Sequence, residues 1–294
     1  MPETELVFVE HAGHRIACLA HPKDDAEKLP VVWLHGLTMS VRFWERAMYR
    51  RVKDERAWYS ISLPLHHPST FSGHLDSETL DEELFAALLA RPIEQLLPEG
   101  RFHLVGHSLG GFAALNYAAK HPDRVASVVS IGGFMTGRAE GLEGALQFLS
   151  SGKRLRKALF FLSFWILKSH VIFLKLASLA YARKWQTLLS YPELDGTLAA
   201  VFPDIQRHSI SAQRALCRYL LEMNLFDETD DIDQPVLAIA GGRDPIIPYR
   251  HQEECAKALS HGELVTFPNA GHLVFAEAPE AFEAELLGWL DRFG

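Results

Sequence analysis

Cysteine is scarce: the 294 residues hold three, Cys18, Cys217 and Cys255, widely separated and with no C-x-x-C pair. That excludes a disulfide framework and a zinc knuckle, and reads as free thiols of a reducing compartment. Positive charge is also in deficit, 29 Lys and Arg against 37 Asp and Glu for a formal net charge of −8. A surface of that sign does not neutralise phosphates, so nucleic acid is not an expected partner. No stretch of about 18 uncharged apolar residues is present that would span a bilayer. No basic patch followed by an apolar run marks a secretory signal after Met1, so a cytoplasmic location is the expectation. Internal repeats and low-complexity tracts are missing as well. The chain has 15 histidines, with His66, His67 and His74 close to Asp76, yet no H-x-H or H-E-x-x-H spacing accompanies them. A metal hydrolase is therefore not expected.

What remains is the composition of an ordinary folded protein, 48% hydrophobic and 22% charged with 20 Gly and 15 Pro. Residues 5–20 read as a hairpin around Ala12, Gly13 and His14. From Pro30 onward short apolar runs alternate with helical stretches. Strands are expected at Val31 to Leu34, Trp58 to Leu63, Phe102 to Val105 and Val125 to Ile131. Helices are expected at Val41 to Val52, Ser77 to Leu97 and Leu109 to Lys120. This alternation predicts an α/β fold with a mostly parallel central sheet. Between Phe134 and about Asp231 the strand signal disappears and helical segments are broken at Tyr191-Pro192 and Phe202-Pro203. Strands resume at Pro235 to Ala240 and Glu263 to Phe267, and a last helix runs from about Glu280 to Phe293. The expected organisation is an α/β core over residues 1–133, an inserted helical cap over 134–231, and the rest of the core over 232–294.

The segment that carries chemistry is Leu104-Val105-Gly106-His107-Ser108-Leu109-Gly110-Gly111, a G-x-S-x-G that follows a predicted strand and opens a helix. A serine in so sharp a turn sits in a strained backbone conformation, and Gly106 and Gly110 keep the crowded flanking positions free of side chains. The helix beginning at Leu109 aims its free N–H groups and positive dipole end at the same place, which favours a developing oxyanion. Upstream, the strand Val31 to Leu34 ends in His35-Gly36-Leu37-Thr38, where a strand-to-helix loop supplies a second backbone donor, expected from Leu37. Downstream, the strand ending at Ala240 runs into Gly241-Gly242-Arg243-Asp244-Pro245 and places a carboxylate at a strand's carboxyl end. Asp227, Asp230, Asp231 and Asp233 are rival acids, and Asp204 lies deep in the insertion. The next strand leads to Asn269-Ala270-Gly271-His272, an imidazole at the same edge.

The order Ser108, Asp244, His272 is nucleophile, acid, base, unlike the orders of the two familiar serine protease types. With Leu34-His35-Gly36, Gly242-Arg243-Asp244 and Ala270-Gly271-His272, the chain resembles the α/β-hydrolase superfamily everywhere except the insertion. Two departures stand out. Many relatives carry Asp-x-Pro-Gly-x-Gly after the fourth strand, where this chain has Ser62-Leu-Pro-Leu-His-His-Pro68. The oxyanion loop has one glycine rather than a run, with Leu37 beside the nucleophile, which disfavours very bulky acids and esters of tertiary alcohols.

The resemblance implies a Ser-His-Asp carboxylic ester hydrolase for small to medium apolar esters or lactones, with no metal or organic cofactor, as a monomer or homodimer. Acyl-homoserine lactonase, carbon-carbon hydrolase and cofactor-free perhydrolase chemistry use the same triad. Epoxide hydrolases and haloalkane dehalogenases carry an aspartate at the nucleophile position. A different class, a non-catalytic ligand-binding protein of this fold, stays open. The insertion's aromatic stretch, Leu155 to Trp185, is expected to form a lid. If it is one helix, Lys157, Lys168 and Lys175 make a narrow basic stripe with Ser163 and His170 facing away. Membrane contact is not expected, because such a stripe is sparse for anionic lipid. His35, His107, Phe134, Phe161, Trp165 and His170 are the candidate substrate-binding residues, with His35 and His107 expected chiefly to shape their loops.

Overall fold

The computed structural model describes residues 4–23, 26–71 and 79–294. Eight strands form one sheet: β1 (Glu5–His11), β2 (His14–His21), β3 (Val31–Leu34), β4 (Trp58–Ile61), β5 (Phe102–His107), β6 (Val125–Ile131), β7 (Val236–Gly241) and β8 (Gly262–Phe267). Their spatial order is β1-β2-β4-β3-β5-β6-β7-β8. β2 pairs antiparallel with both β1 and β4, and every later pairing is parallel. The fold is the α/β-hydrolase fold that the motifs imply. His74, Asp76 and the expected helix start at Ser77 lie outside the described residues.

The helices of the core are α1 (Phe43–Ala47), α2 (Arg50–Glu55), α3 (Glu82–Leu96) and α4 (Leu109–Lys120). The single helix expected over Val41 to Val52 is thus two short ones, separated at Met48 and Tyr49. Between β6 and β7 lie α5 (Gly141–Ser150), α6 (Arg154–Ser169), α7 (Val171–Leu179), α8 (Trp185–Ser190), α9 (Leu194–Arg207) and α10 (Ile210–Tyr219). The chain closes with α11 (Tyr249–Ala258), α12 (Val274–Glu277) and α13 (Pro279–Arg292).

The central strands are apolar on both faces because both faces are covered. Val32, Leu34, Leu104 and Val128 point into a cluster with Phe85 and Phe112 of α3 and α4. Their neighbours Val31, Trp33, Val105 and Val129 point the other way, against Trp44, Phe282 and Leu286. The strand period of two therefore feeds two separate cores from one run of sequence. The cap joins both: Phe160 and Phe164 of α6 belong to the first cluster, and Leu174, Leu198 and Val201 of α7 and α9 to the second.

The stretch from Leu155 to Trp185 is not one helix. The axes of α6 and α7 bend by 112°. At the break His170 is extended, with φ −158° and ψ 142°, and its ring accepts a hydrogen bond from the Ile172 N–H to cap α7. The continuous basic stripe drawn through Lys157, Lys168 and Lys175 is overturned with it. Lys168 instead donates to the His208 carbonyl and Lys175 pairs with Asp195. Among the described residues no single helix is long and apolar enough to cross a membrane.

The sharpest packing constraint sits where β3, β5 and α4 meet. A methyl group on Gly110 would lie 2.3 Å from the Leu34 carbonyl oxygen, and one on Gly106 would lie 2.0 Å from that of Gly110. Backbone meets backbone there, so no side chain can yield. Gly110→Ala is expected to lower unfolding free energy by about 3 kcal/mol, the upper range for overpacking a tight core. A urea midpoint unchanged from the parent chain would refute this close packing.

Candidate active site

Ser108 follows the last residue of β5 and precedes the first of α4, with φ 56° and ψ −119°. This is a left-handed conformation that a serine adopts only under constraint. The constraint is visible: the Ser108 N–H donates to the Ile131 carbonyl of β6 at 2.8 Å, while its own carbonyl accepts from Gly111 at 2.8 Å and Phe112 at 3.2 Å. The turn is thus bonded on one side to the sheet and on the other to the helix it starts.

The loops after β7 and β8 bring the other two candidates to this edge. His272 Nδ1 donates to Asp244 Oδ2 at 2.7 Å, and both side chains are fully buried. The other carboxylate oxygen, Oδ1, accepts from the backbone N–H groups of Ile246 at 2.8 Å and Ile247 at 2.9 Å. Asp244 is therefore held by three donors. The rival acids Asp227, Asp230, Asp231 and Asp233 are exposed, and Asp204 faces Arg42 and His67 instead. Ser108 Oγ and His272 Nε2 are both buried, and neither has a hydrogen-bond partner among the described residues. Both residues line one cavity of about 270 Å³, which Leu37 and His107 also line. Such bonds are often long without substrate and tighten when it binds.

Burial alone pushes the His272 imidazole toward the neutral form. The Asp244 charge and hydrogen bond, with Glu143 and Glu277 behind them, outweigh it and raise the pKa above 6.5. The ring is braced from outside as well. The His272 N–H donates to the Tyr181 carbonyl at 2.9 Å, and His107 Nε2 donates to the His272 carbonyl at 3.1 Å. Glu277 accepts from Gly271, Arg183 and Lys184 N–H groups at 2.8 to 2.9 Å, tying the histidine loop to the cap.

The loop carrying Leu37 is held by histidines. His35 Nε2 accepts from the Leu63 N–H at 3.1 Å, and His66 Nε2 accepts from the Thr38 N–H at 3.1 Å. Their Nδ1 atoms donate to the carbonyls of Gly36 and Pro64, each at 2.9 Å. Both rings are thereby fixed as neutral tautomers, and burial keeps His35 well below its ordinary pKa and takes His66 down to about 4. The Leu37 N–H donates to no acceptor among the described residues. The Leu109 N–H, first in α4, has no acceptor within its own helix.

The candidate substrate contacts divide. His107 lines the cavity wall. His35 does not, since its ring is spent on the loop. Phe134 is packed against Phe112 in the core, at a centroid distance of 5.9 Å. Phe161 lies beside that core without reaching the cavity wall. Trp165 is 65% exposed, and the exposed His170 caps α7. The aromatic richness of the stretch suggested lining residues, but helix phase turns Phe164 inward and its neighbour Trp165 outward. The walls are instead built by residues that motif reading passed over: Leu142, Leu146, Leu167, Leu174, Leu198 and Val201.

Glu143 was also missed. It is buried on the cavity wall and accepts from the Tyr181 hydroxyl at 3.1 Å. Burial raises its carboxyl pKa against the opposing pull of His272 and of that hydroxyl. Only the cap's packing shows this, because a lone Glu in a helix carries no motif. Among the described residues no group of three His, Cys, Asp or Glu is placed to hold a metal ion.

Two measurements test these electrostatics. Imidazole NMR is expected to give His272 a pKa above 6.5, falling below it in Asp244→Asn, where burial is less opposed; no change on that substitution would refute the coupling. His66 has a depressed folded pKa, so its contribution to stability is full above about 6.5 and is lost as pH falls toward 4. The urea midpoint is expected to drop over that window, and less steeply in His66→Gln. Equal slopes would show that the hydrogen bonds of the neutral His66 ring do not contribute.

A family model for the alpha/beta hydrolase fold matches residues 30–279. A pimeloyl-[acyl-carrier protein] methyl ester esterase of Neisseria meningitidis serogroup C is 31% identical over 236 residues, covering 76% of this chain and 79% of its own. Solved structures of the same shape include a thermophilic esterase from Thermogutta terrifontis, with TM-score 0.72, 20% identity and coverage of 98% and 99%. Another is the enol-lactonase from Burkholderia xenovorans LB400, with TM-score 0.74, 15% identity and coverage of 97% and 100%. Identities that low speak for the fold alone, whereas the family match and the Neisseria relative rest on sequence. The chain belongs to the alpha/beta-hydrolase fold family.

Proposed function

We propose that Ser108, His272 and Asp244 form the catalytic triad of a carboxylic ester hydrolase acting on small to medium, mostly apolar esters or lactones. Ester hydrolysis on this fold is supported by the relatives. The observation that carries the assignment of residues is the pair of buried, unpartnered atoms, Ser108 Oγ and His272 Nε2, on one cavity wall, with His272 Nδ1 bound to Asp244 at 2.7 Å.

In this reading His272 Nε2 takes the Ser108 proton as Oγ attacks the ester carbonyl carbon. Asp244 holds the imidazole with Nε2 free and stabilises the imidazolium. The backbone N–H groups of Leu37 and Leu109 donate to the oxyanion of the tetrahedral intermediate; losing one such donor typically costs about 3 kcal/mol in the barrier. His272 returns the proton to the departing alcohol oxygen, leaving an acyl-serine. Water, deprotonated by the same nitrogen, then releases the acid and regenerates Ser108.

The lining decides the substrate class. Leucines, Val201 and Phe164 dominate the walls, and the acidic group added by the cap is Glu143. A dicarboxylate of the kind that carbon-carbon hydrolases cleave would meet no Lys or Arg among the described lining residues. Glu143 beside His272 also disfavours acids that carry a second negative charge. Neutral apolar acyl groups gain from burial in such a cavity.

A p-nitrophenyl ester series of increasing acyl length tests this. The kcat/KM is expected to rise by about fourfold per methylene, the equivalent of about 0.8 kcal/mol, until the cavity is full. In Ser108→Ala it is expected to fall by at least about a thousandfold at every length. With the parent enzyme it is expected to decline as pH falls through the raised His272 pKa, because the protonated ring accepts no proton. Turnover that survives the alanine substitution would remove Ser108 from the mechanism.

A further inference from the structure

The cap's outer surface has two properties that neither the core nor the catalytic reading requires. Eleven large apolar side chains are exposed among the described residues, and all eleven fall between Phe148 and Leu189. They include Leu155, Leu162 and Trp165 of α6, Phe173 and Leu176 of α7, and Trp185 of α8. α6 spends only Phe160 and Phe164 on full burial. An amphipathic helix with an ordinary solvent face would present polar groups there, and exposed apolar patches on this scale mark contact surfaces.

Charge is distributed with the same boundary. Residues 144–192 contain no Asp or Glu and eight Lys or Arg, leaving 21 of the 29 basic residues against all 37 acidic residues elsewhere. A chain of net charge −8 thus carries one wholly cationic segment, and it is the segment with the exposed apolar side chains. Lys153, Arg154, Arg156 and Lys157 cluster at the start of α6, and Arg183 and Lys184 stand next to Trp185. Tryptophans flanked by cations on short helices suit the boundary between lipid headgroups and acyl chains. The break at His170 lets two helices present apolar residues where one straight helix would offer a single narrow stripe.

We propose that this face of the cap docks on the surface of an anionic phospholipid bilayer, with α6, α7 and α8 seated in the headgroup region and the acidic remainder of the molecule held away from it. Membrane contact, not expected from a sparse stripe of three lysines, becomes the best account of six exposed cations, those other than the committed Lys168 and Lys175, together with eleven exposed apolar groups. The cavity meets this surface, because Ile166 and Phe173 both line it and are exposed. An apolar ester dissolved in the leaflet would then enter without crossing water. Docking itself does not depend on the triad assignment. An acidic protein partner would account for the cations but leaves the breadth of the apolar surface unexplained.

Flotation of the full chain with phosphatidylcholine vesicles, with and without phosphatidylglycerol, tests the proposal. Binding is expected to be at least roughly tenfold tighter to the anionic vesicles and to weaken with added salt. A Lys153→Glu/Arg154→Glu/Lys157→Glu variant is expected to lose about tenfold or more of that affinity, and Leu155→Ser/Leu162→Ser/Leu176→Ser a similar amount. Both variants change exposed residues and are expected to hydrolyse a short soluble ester as the parent does. Ser108→Ala is expected to bind vesicles normally, which separates docking from catalysis. Failure to float with anionic vesicles would overturn the proposal. So would affinity unaffected by both sets of substitutions, or a stable dimer in solution that buries Leu162 and Leu176 from solvent.

Discussion

The left-handed turn at Ser108 is the constraint to which the surrounding geometry answers. A serine at φ 56° and ψ −119° is unfavourable by itself, and strain of this kind costs of order 1 to 3 kcal/mol. It persists because the Ser108 N–H is committed to the Ile131 carbonyl of the next strand and its carbonyl to the first turn of α4. The absent side chains at Gly106 and Gly110 let the turn, the helix and the end of β3 approach to backbone contact. In return the same turn projects the hydroxyl over the sheet edge and leaves the first N–H of α4 uncommitted beside it. The proposed nucleophile and the proposed anion donor are consequences of one backbone conformation.

Around that turn, loops are fixed by groups that cost little to hold neutral. His35 and His66 connect the Leu37 loop to the segment after β4 through two backbone N–H groups. A third histidine, His208 at the end of α9, donates to the Met39 carbonyl at 2.9 Å and accepts from the His67 N–H at 3.0 Å. Gln213 of α10 adds a bond to the Leu65 carbonyl at 3.0 Å. Burial depresses all three imidazoles, so each can accept at one nitrogen and donate at the other. A lysine or an amide in these places would not offer both roles through one rigid ring. The Ser62 to Pro68 segment, which departs from the stretch common among relatives, therefore carries its own fastening in His66.

Much of this was legible in the sequence because it depends on local chemistry. Strand periods, the glycines around Ser108, and a carboxylate and an imidazole after successive strands are short-range signals, and they place the residues at one sheet edge. The cap was not legible in the same way. Its segments are apolar on more than one side, so periodicity does not say which side faces inward. Phe164 and Trp165 are adjacent and chemically alike, yet one is buried and the other exposed. The conditional reading of one continuous helix does not hold at His170, whose ring competes for a backbone N–H and ends one helix while starting the next. Glu143 and Glu277 act through partners that are distant in sequence, Tyr181 and the 181–184 backbone, and no motif connects them.

These fastenings imply that the cap and the site are mechanically coupled. His208 and Gln213 hold the loop that presents Leu37, while Tyr181 and residues 183–184 hold the loop that presents His272. The two halves of the cap thus grip the two sides of Ser108. Opening the whole cap as a rigid lid would have to break hydrogen bonds to the backbone of both loops and would disturb the proposed oxyanion donor and the proposed base together. Among the described residues α6, α7 and α8 make neither set of bonds, so they are the parts of the cap whose displacement leaves the grip intact. Those helices carry the exposed apolar residues and contribute Ile166 and Phe173 to the cavity wall. The division follows from where hydrogen bonds end: the anchored segments hold the geometry of the proposed site, and the apolar helices outside them are free of that constraint.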